Sequence, residues 1–287
     1  MKKLFIFLTF LIAGAVAAES YSAAGNGASG KAKIHISGTL SGTEPMPGRH
    51  HTSWILEMPD GDIYLFDAGE NCGRSAYFRG LDLTRLKAVF ISHGHPDHTA
   101  GLIHFFSVIR KIHRKFHSVH ETRAVIYFPE PSMPEAFFKY LDAFYSRPEK
   151  TDITAKILTD GGKYEDKNIK VEFLANNHIK VAAGENKKAF SFRISVAGKT
   201  VIYSGDIKKP EELEKWLKDG CDVILMENGH HLPQKVCEKW KELPVRHLVF
   251  LHHGREYLNY PIETLRKCRN IWKSKLTFTD EKTILEL

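Results

Sequence analysis

Cysteine is scarce. The 287-residue chain has four, Cys72, Cys221, Cys237 and Cys268, and no two are spaced as CxxC, which argues against a cysteine-based zinc site. Each reads equally well as a small buried hydrophobe, and spacing does not choose among the three full disulfide pairings that four cysteines allow. Long apolar runs are also missing: the one sustained run, Leu4 to Val16, is too short to span a bilayer. Nothing repeats at a solenoid period, and no linker splits the chain, so residues 32–287 read as one domain. Charge is unexceptional. With 41 basic and 34 acidic residues the net value is +7, far from a nucleic-acid-binding footprint and only weakly favourable to anionic ligands.

The N-terminus has its own grammar. Lys2 and Lys3 precede the apolar run, and Ala15-Val16-Ala17, or else Val16-Ala17-Ala18, supplies a small-residue cleavage pattern. Residues 1–18 therefore read as a secretory signal peptide. Export to the periplasm or beyond is expected, with no membrane attachment after cleavage, because no cysteine stands at the cleavage site to take a lipid. Residues 19–31, small and polar, read as a flexible lead-in. Without Lys2 and Lys3 the charge falls to +5, 39 basic residues against 34 acidic ones.

Short β-rich apolar runs alternate with helical patterns through the rest of the chain. Strands are expected at 33–37, 53–58, 62–66, 87–92, 124–128, 169–174, 189–196, 200–204, 222–226 and 247–251, and the "PDG" between the second and third marks a hairpin. Helices are expected at 98–119, 133–146, 209–219, 233–242 and 261–272, with Pro134 and Pro210 near two of the starts.

What the chain has in surplus is histidine, 16 in all. The stretch "ISHGHPDHTAGL" places His93, His95, Asp97 and His98 directly after an apolar strand. Residues i and i+2 of an extended segment share a face, so His93 and His95 can approach one cation, while Pro96 starts a helix that turns Asp97 and His98 toward a second position. Other strands end likewise: Asp67 after "DIYLF", His178 after "VEFLANN", Asp206 after "VIYSG", Glu227 after "DVILM", and His252 and His253 after "HLVFL". Ligand sites in α/β sheets gather at the carboxyl ends of strands, so these ends point to one convergent site. Imidazoles with carboxylates suit zinc first, with manganese or iron as alternatives.

"SHGHPDHTAGL", with "LFDAGE", "NNHIK", "YSGDI" and "FLHHGREY", resembles the motif series of the metallo-β-lactamase superfamily across nearly the whole mature chain, and "GTEPMPGR" with "YSGD…LMEN" looks most like its ribonuclease Z branch. The resemblance implies an αββα sandwich of mixed α/β class. It implies two divalent metal ions, one held by His93, His95 and His178, the other by Asp97, His98 and His252, bridged by Asp206. His253 rivals His252, since a one-residue slip in register exchanges them. Asp67 is expected behind the ligands, orienting a histidine. A hydroxide between the two metals would be the nucleophile, and Asp97, Glu227 and His230 are the candidate catalytic residues.

Two features set the chain apart from ribonuclease Z. His178 and Asp206 are only 28 positions apart, leaving no room for the branch's tRNA-clasping arm, and its His-Glu-Ala-Thr strand end reads Met226-Glu227-Asn228-Gly229. His230 or His231 is then the substitute proton donor. The expectation is an exported hydrolase of a phosphodiester or related small anionic ester, without a stable nucleic-acid partner. The alternatives are an acyl hydrolase acting on a lactone, thioester or β-lactam, and a non-catalytic metal- or ligand-binding module. A homodimer remains open. His113, His117 and His120 read as a solvated basic face, His50 and His51 as part of a loop overhanging the site, and Arg255 and Tyr257 as anion-binding or packing residues.

Overall fold

Strands buried on both faces explain the continuous apolar runs. In Ile63–Phe66, Tyr64 and Phe66 enter one hydrophobic cluster and Ile63 and Leu65 another; in Val223–Asn228, Val223 and Leu225 face one way, Ile224 and Met226 the other. Period-two alternation without a polar face belongs to sheets covered on both sides. The computed structural model describes residues 30–116, 121–148 and 150–287. The segment read as a signal peptide, most of the lead-in, His117 and His120 lie outside the described residues.

The first half of the chain supplies β1 (Lys33–Gly38), β2 (Ser53–Glu57), β3 (Ile63–Phe66), β4 (Leu86–Phe90), β5 (Thr122–Phe128) and β6 (Thr151–Ile157). The second supplies β7 (Lys163–Glu165), β8 (Ile169–Ala175), β9 (Phe190–Val196), β10 (Lys199–Tyr203), β11 (Val223–Asn228), β12 (His247–His253) and β13 (Lys275–Phe278), after which β14 (Ile284–Glu286) returns to the first sheet. The two seven-stranded sheets run β14-β1-β2-β3-β4-β5-β6 and β13-β12-β11-β10-β9-β8-β7. β3 to β6 are mutually parallel, as are β10 to β13.

Between the sheets lies an aromatic core in which Trp54 stacks on Phe66 with centroids 4.1 Å apart, joined by Phe90, Phe192 and Tyr203. Helices Cys72–Phe78, Leu102–Phe116 and Ser132–Ala143 cover the outer face of the first sheet, and helices Glu214–Lys218, Pro233–Trp240 and Pro261–Ile271 that of the second. The layering is αββα, as expected, and the four cysteines are buried with free thiols. The expected hairpin is a tight turn closed by Gly61 N–H to the Met58 carbonyl, 2.8 Å, with Gly61 at φ 84°.

Several boundaries differ from expectation. The helix expected at 98–119 is two, Pro96–Thr99 and Leu102–Phe116, separated at Gly101, where a Cβ would lie 2.1 Å from the Gly69 carbonyl oxygen. The 209–219 helix opens as a 3-10 turn at Pro210–Leu213. β6, β7, β13 and β14 were not expected as strands, nor Cys72–Phe78 and Arg255–Asn259 as helices. His113 does not belong to a solvated face: it is buried, with Nε2 2.9 Å from Thr122 Oγ1.

Candidate metal centre

The carboxyl ends of β4, β10, β11 and β12 meet along one edge of the sandwich. There the sheets touch: Phe190 N–H donates to the Ser92 carbonyl over 2.9 Å, and His93 bridges to Ala189. Gly205 makes this approach feasible, since its φ is 53° and a Cβ would lie 2.6 Å from the Phe190 oxygen and 2.9 Å from Ser92 Cβ. The next residue is Asp206, delivered to the centre of the cluster.

Around Asp206 stand all the histidines that the sequence assigns to metal. Its Oδ2 lies 3.7 Å from His93 Nε2, 3.6 Å from His178 Nε2 and 3.3 Å from His252 Nε2, and its Oδ1 lies 3.4 Å from His98 Nε2. His95 Nδ1 is 2.9 Å from His93 Nε2 and 3.5 Å from His178 Nε2, the i and i+2 pairing anticipated for an extended segment. Asp97 Oδ2 is 3.6 Å from His98 Nε2 and accepts the Gly42 N–H at 2.7 Å. Three groups of donors with a cation's reach therefore exist among the described residues: His93, His95, His178 and Asp206 on one side, Asp97, His98 and His252 on the other, and Asp206, His230 and His252 between them.

The ring orientations follow from what stands behind them. Asp67, fully buried at a left-handed φ of 53°, accepts from Ser92 N at 2.6 Å, Ser92 Oγ at 2.8 Å, Tyr203 Oη at 2.6 Å and His98 Nδ1 at 2.7 Å. With its proton given to Asp67, Ser92 Oγ accepts from His93 Nδ1, 3.1 Å away. His252 Nδ1 donates to Thr52 Oγ1 at 2.5 Å. For all three rings the outward nitrogen carries the hydrogen and Nε2 turns a lone pair inward, as metal-ligating histidines require.

The donors fit cations. His98 Nε2, His252 Nε2 and Asp206 Oδ1 are buried without a hydrogen-bond partner. Orphaned buried polar atoms are costly and rare, and three at one centre match a site built for positive charge. Burial holds His93 and His178 below their ordinary pKa, leaving neutral lone pairs. Burial also works against charge on Asp206, but positive charge on His252, His98 and His93 in their protonated forms, a place bound cations would take, holds its carboxyl well below the usual range.

The rivalry at the end of β12 resolves geometrically. His253 Nε2 donates to the Thr279 carbonyl at 2.7 Å, and its Nδ1 accepts from the Asn228 amide at 3.0 Å. Burial drives its pKa down to about 3, and Tyr257 packs on its face at 4.4 Å. His252 reaches the centre through a left-handed backbone, φ 52°. A Cβ at Gly229 would lie 2.7 Å from the His252 ring, so that position is kept small.

The candidate catalytic residues divide. His230 borders the centre, its Nδ1 3.7 Å from Asp206 Oδ2 and 3.2 Å from Glu227 Oε1. Its hydrogen bond to Glu227, against the cost of burial, pushes its pKa up to about 9. Glu227 itself is fully buried and also receives the His230 N–H at 2.9 Å and lies 3.3 Å from His231 Nε2. It positions His230 rather than facing the centre. His231 points elsewhere, with Nε2 3.0 Å from the Ile207 carbonyl. Met226 is buried beneath the outer helices of the second sheet, so no side chain at that position reaches the centre. His50 and His51 do sit in the adjoining loop, 3.4 and 3.7 Å from Glu70. Sequence reading missed Ser92, Thr52 and Tyr203; only Ser92, adjacent to His93, carried any local signal.

The family model "Beta-lactamase superfamily domain" matches residues 63–253. Ribonuclease Z of Borrelia hermsii is 30% identical over 215 residues, 71% of this chain and 61% of the relative, so the chain spans under two thirds of that relative's length. Among solved structures, the metallo-beta-lactamase fold protein YhfI from Bacillus subtilis superposes with a TM-score of 0.69 at 16% identity, covering 90% of this chain and 100% of its own. The short form of human tRNase Z superposes at 0.64 and 15% identity, with coverages of 88% and 98%. The family model covers well over half of the chain, and the αββα layering agrees with it: the chain belongs to the metallo-β-lactamase superfamily.

Proposed function

We propose that this protein is a metal-dependent hydrolase with a two-metal centre, acting on a phosphodiester or related small anionic ester outside the cytoplasm. The observation that carries the reading is the set of three orphaned donors, His98 Nε2, His252 Nε2 and Asp206 Oδ1, converging where the His93, His95, His178 and Asp206 group adjoins the Asp97, His98 and His252 group. His93, His95 and His178 would hold one cation and Asp97, His98 and His252 the other, with Asp206 common to both. Held there, two divalent cations, zinc first, would supply Lewis acidity to polarise the ester and lower the pKa of a bound water toward neutrality. The chain's own residues do the rest. Asp67, Ser92 and Thr52 fix the imidazoles, and Asp97 anchors the 41–49 loop through Gly42. His230, with Nδ1–H given to Glu227, keeps Nε2–H available to protonate the leaving oxygen.

A small substrate is favoured because the segment from His178 to Phe190 is a short loop that leads directly into β9, with no inserted arm. Export is supported by the basic and then apolar N-terminus. The zinc-loaded protein should hydrolyse bis(p-nitrophenyl) phosphate, and His95→Ala should lose at least 100-fold in kcat/KM. An aryl sulfate, a lactone and a chromogenic β-lactam complete the panel; turnover confined to the acyl substrates overturns the phosphodiester reading.

A further inference from the structure

A cavity of about 290 Å³ lies beside the metal centre, between the 41–46 loop and the end of β12. It shares a wall with that centre. Ser41 hydrogen-bonds the His253 carbonyl through Oγ at 2.9 Å, Gly42 donates to Asp97, and Ser41 Cβ would lie 2.7 Å from a Cβ at Gly229, the same atom that would crowd His252. Leu40, Pro45, Met46 and Leu258 give the cavity an apolar share of its lining, and Arg255 lines it with a guanidinium. Arg255 pairs with Glu44 of the loop, and both side chains are more than half exposed, at 59% and 68%. An ion pair that open to water is held weakly and exchanges partners readily. The loop that carries Glu44 has left-handed glycines at Gly42 and Gly48, φ 69° and 73°, so its backbone is suited to re-aim there.

We propose that this cavity is a second anion subsite, in which Arg255 exchanges Glu44 for an oxyanion, phosphate or carboxylate, carried on the part of the substrate remote from the bond cleaved. The proposal deepens the hydrolase reading and rests on it for the substrate's placement. A planar guanidinium takes such a group through paired N–H donors, and the apolar lining residues accommodate the compact group that bears it. The preferred substrate then carries two separated negative charges, one at the metal centre and one at Arg255.

The test begins with the metal-depleted protein, so that binding is read without turnover. Titration calorimetry with phenyl phosphate, and with benzoate as the carboxylate arm, should show that Arg255→Ala weakens binding at least tenfold, Arg255→Lys less so, and that Glu44→Gln tightens it at least threefold. Glu44→Gln leaves Arg255 in place and guards against a folding defect in the alanine variant. With zinc-loaded protein, Arg255→Ala should lower kcat/KM about tenfold for a diester bearing a remote phosphate and leave bis(p-nitrophenyl) phosphate within twofold. Equal binding by wild type, Arg255→Ala and Glu44→Gln overturns the subsite. Arg255-dependent binding without diester turnover upholds the subsite and overturns the phosphodiester reading instead.

Discussion

His230 holds a proton at neutral pH because Glu227, buried behind it, accepts from its Nδ1 and raises its pKa to about 9. The acid form is therefore present below that value and is lost as pH rises through it. The pH profile of kcat should show an alkaline limb at or below pH 9, since bound cations nearby push the pKa down. His230→Gln should cost about 100-fold in kcat and flatten that limb, the usual scale for a proton donor; an unchanged limb would reassign the acid. At this scale the sequence was highly legible. His93, His95, Asp97, His98, His178, Asp206 and His252 all reach the centre because spacing and strand ends govern where they point. The choice between His252 and His253 was not legible, because it turns on a left-handed φ at His252 that alternation along a strand does not foretell. Glu227 read as a residue facing the reaction because its burial behind His230 is a tertiary fact.

Among the elements, the strand end at Gly205 has the least latitude. A methyl there would meet both the Phe190 carbonyl and Ser92 at a φ that L-residues avoid. Gly205→Ala should therefore destabilise the fold by about 2 kcal/mol and reduce bound metal, read by denaturant melting and metal analysis together; unchanged metal content would mean that this end is not what delivers Asp206. The ten expected strands are all present, because each is either buried on two faces or cleanly alternating. The four missed, β6, β7, β13 and β14, are the four edge strands of the two sheets. Edge strands face one neighbour, bury little, and are kept short or polar to avoid pairing with other chains. β6, "TDITAKI", exposes every second residue, and the other three are three or four residues long. Their pattern is weak because their physical task demands so little apolar surface.

The molecule as a whole places donors from both sheets around one centre: His93, His95, Asp97 and His98 follow β4 of the first, while in the second His178 and Asp206 follow β8 and β10 and His252 lies near the end of β12. Cations held there would tie the layers together and, needing donors from both sheets, would favour the folded state. Free zinc at 1,000 times its dissociation constant should stabilise the metal-depleted protein by about 4 kcal/mol per site. That is a rise in Tm of roughly 10 °C for a domain of this size. Calorimetry with and without zinc measures it, and an unmoved Tm would count against a resident metal. The alternation of strand runs with helical patterns was legible as such, the four-layer architecture only through the motif series whose resemblance implied it, and "SHGHPDHTAGL" fixed which edge mattered. The cavity beside Arg255 was not, because it forms between a loop and a strand end more than 200 residues apart.

β14 has a bearing on when the ions are taken up. Ile284–Glu286 pair with β1, and the ligand cage draws His252 from β12 and His93 from the end of β4 in the other sheet. Neither the sheet nor the cage is complete until segments far apart in sequence have met. A partly folded chain would therefore not hold the ions, and taking them up and finishing the fold would be one event.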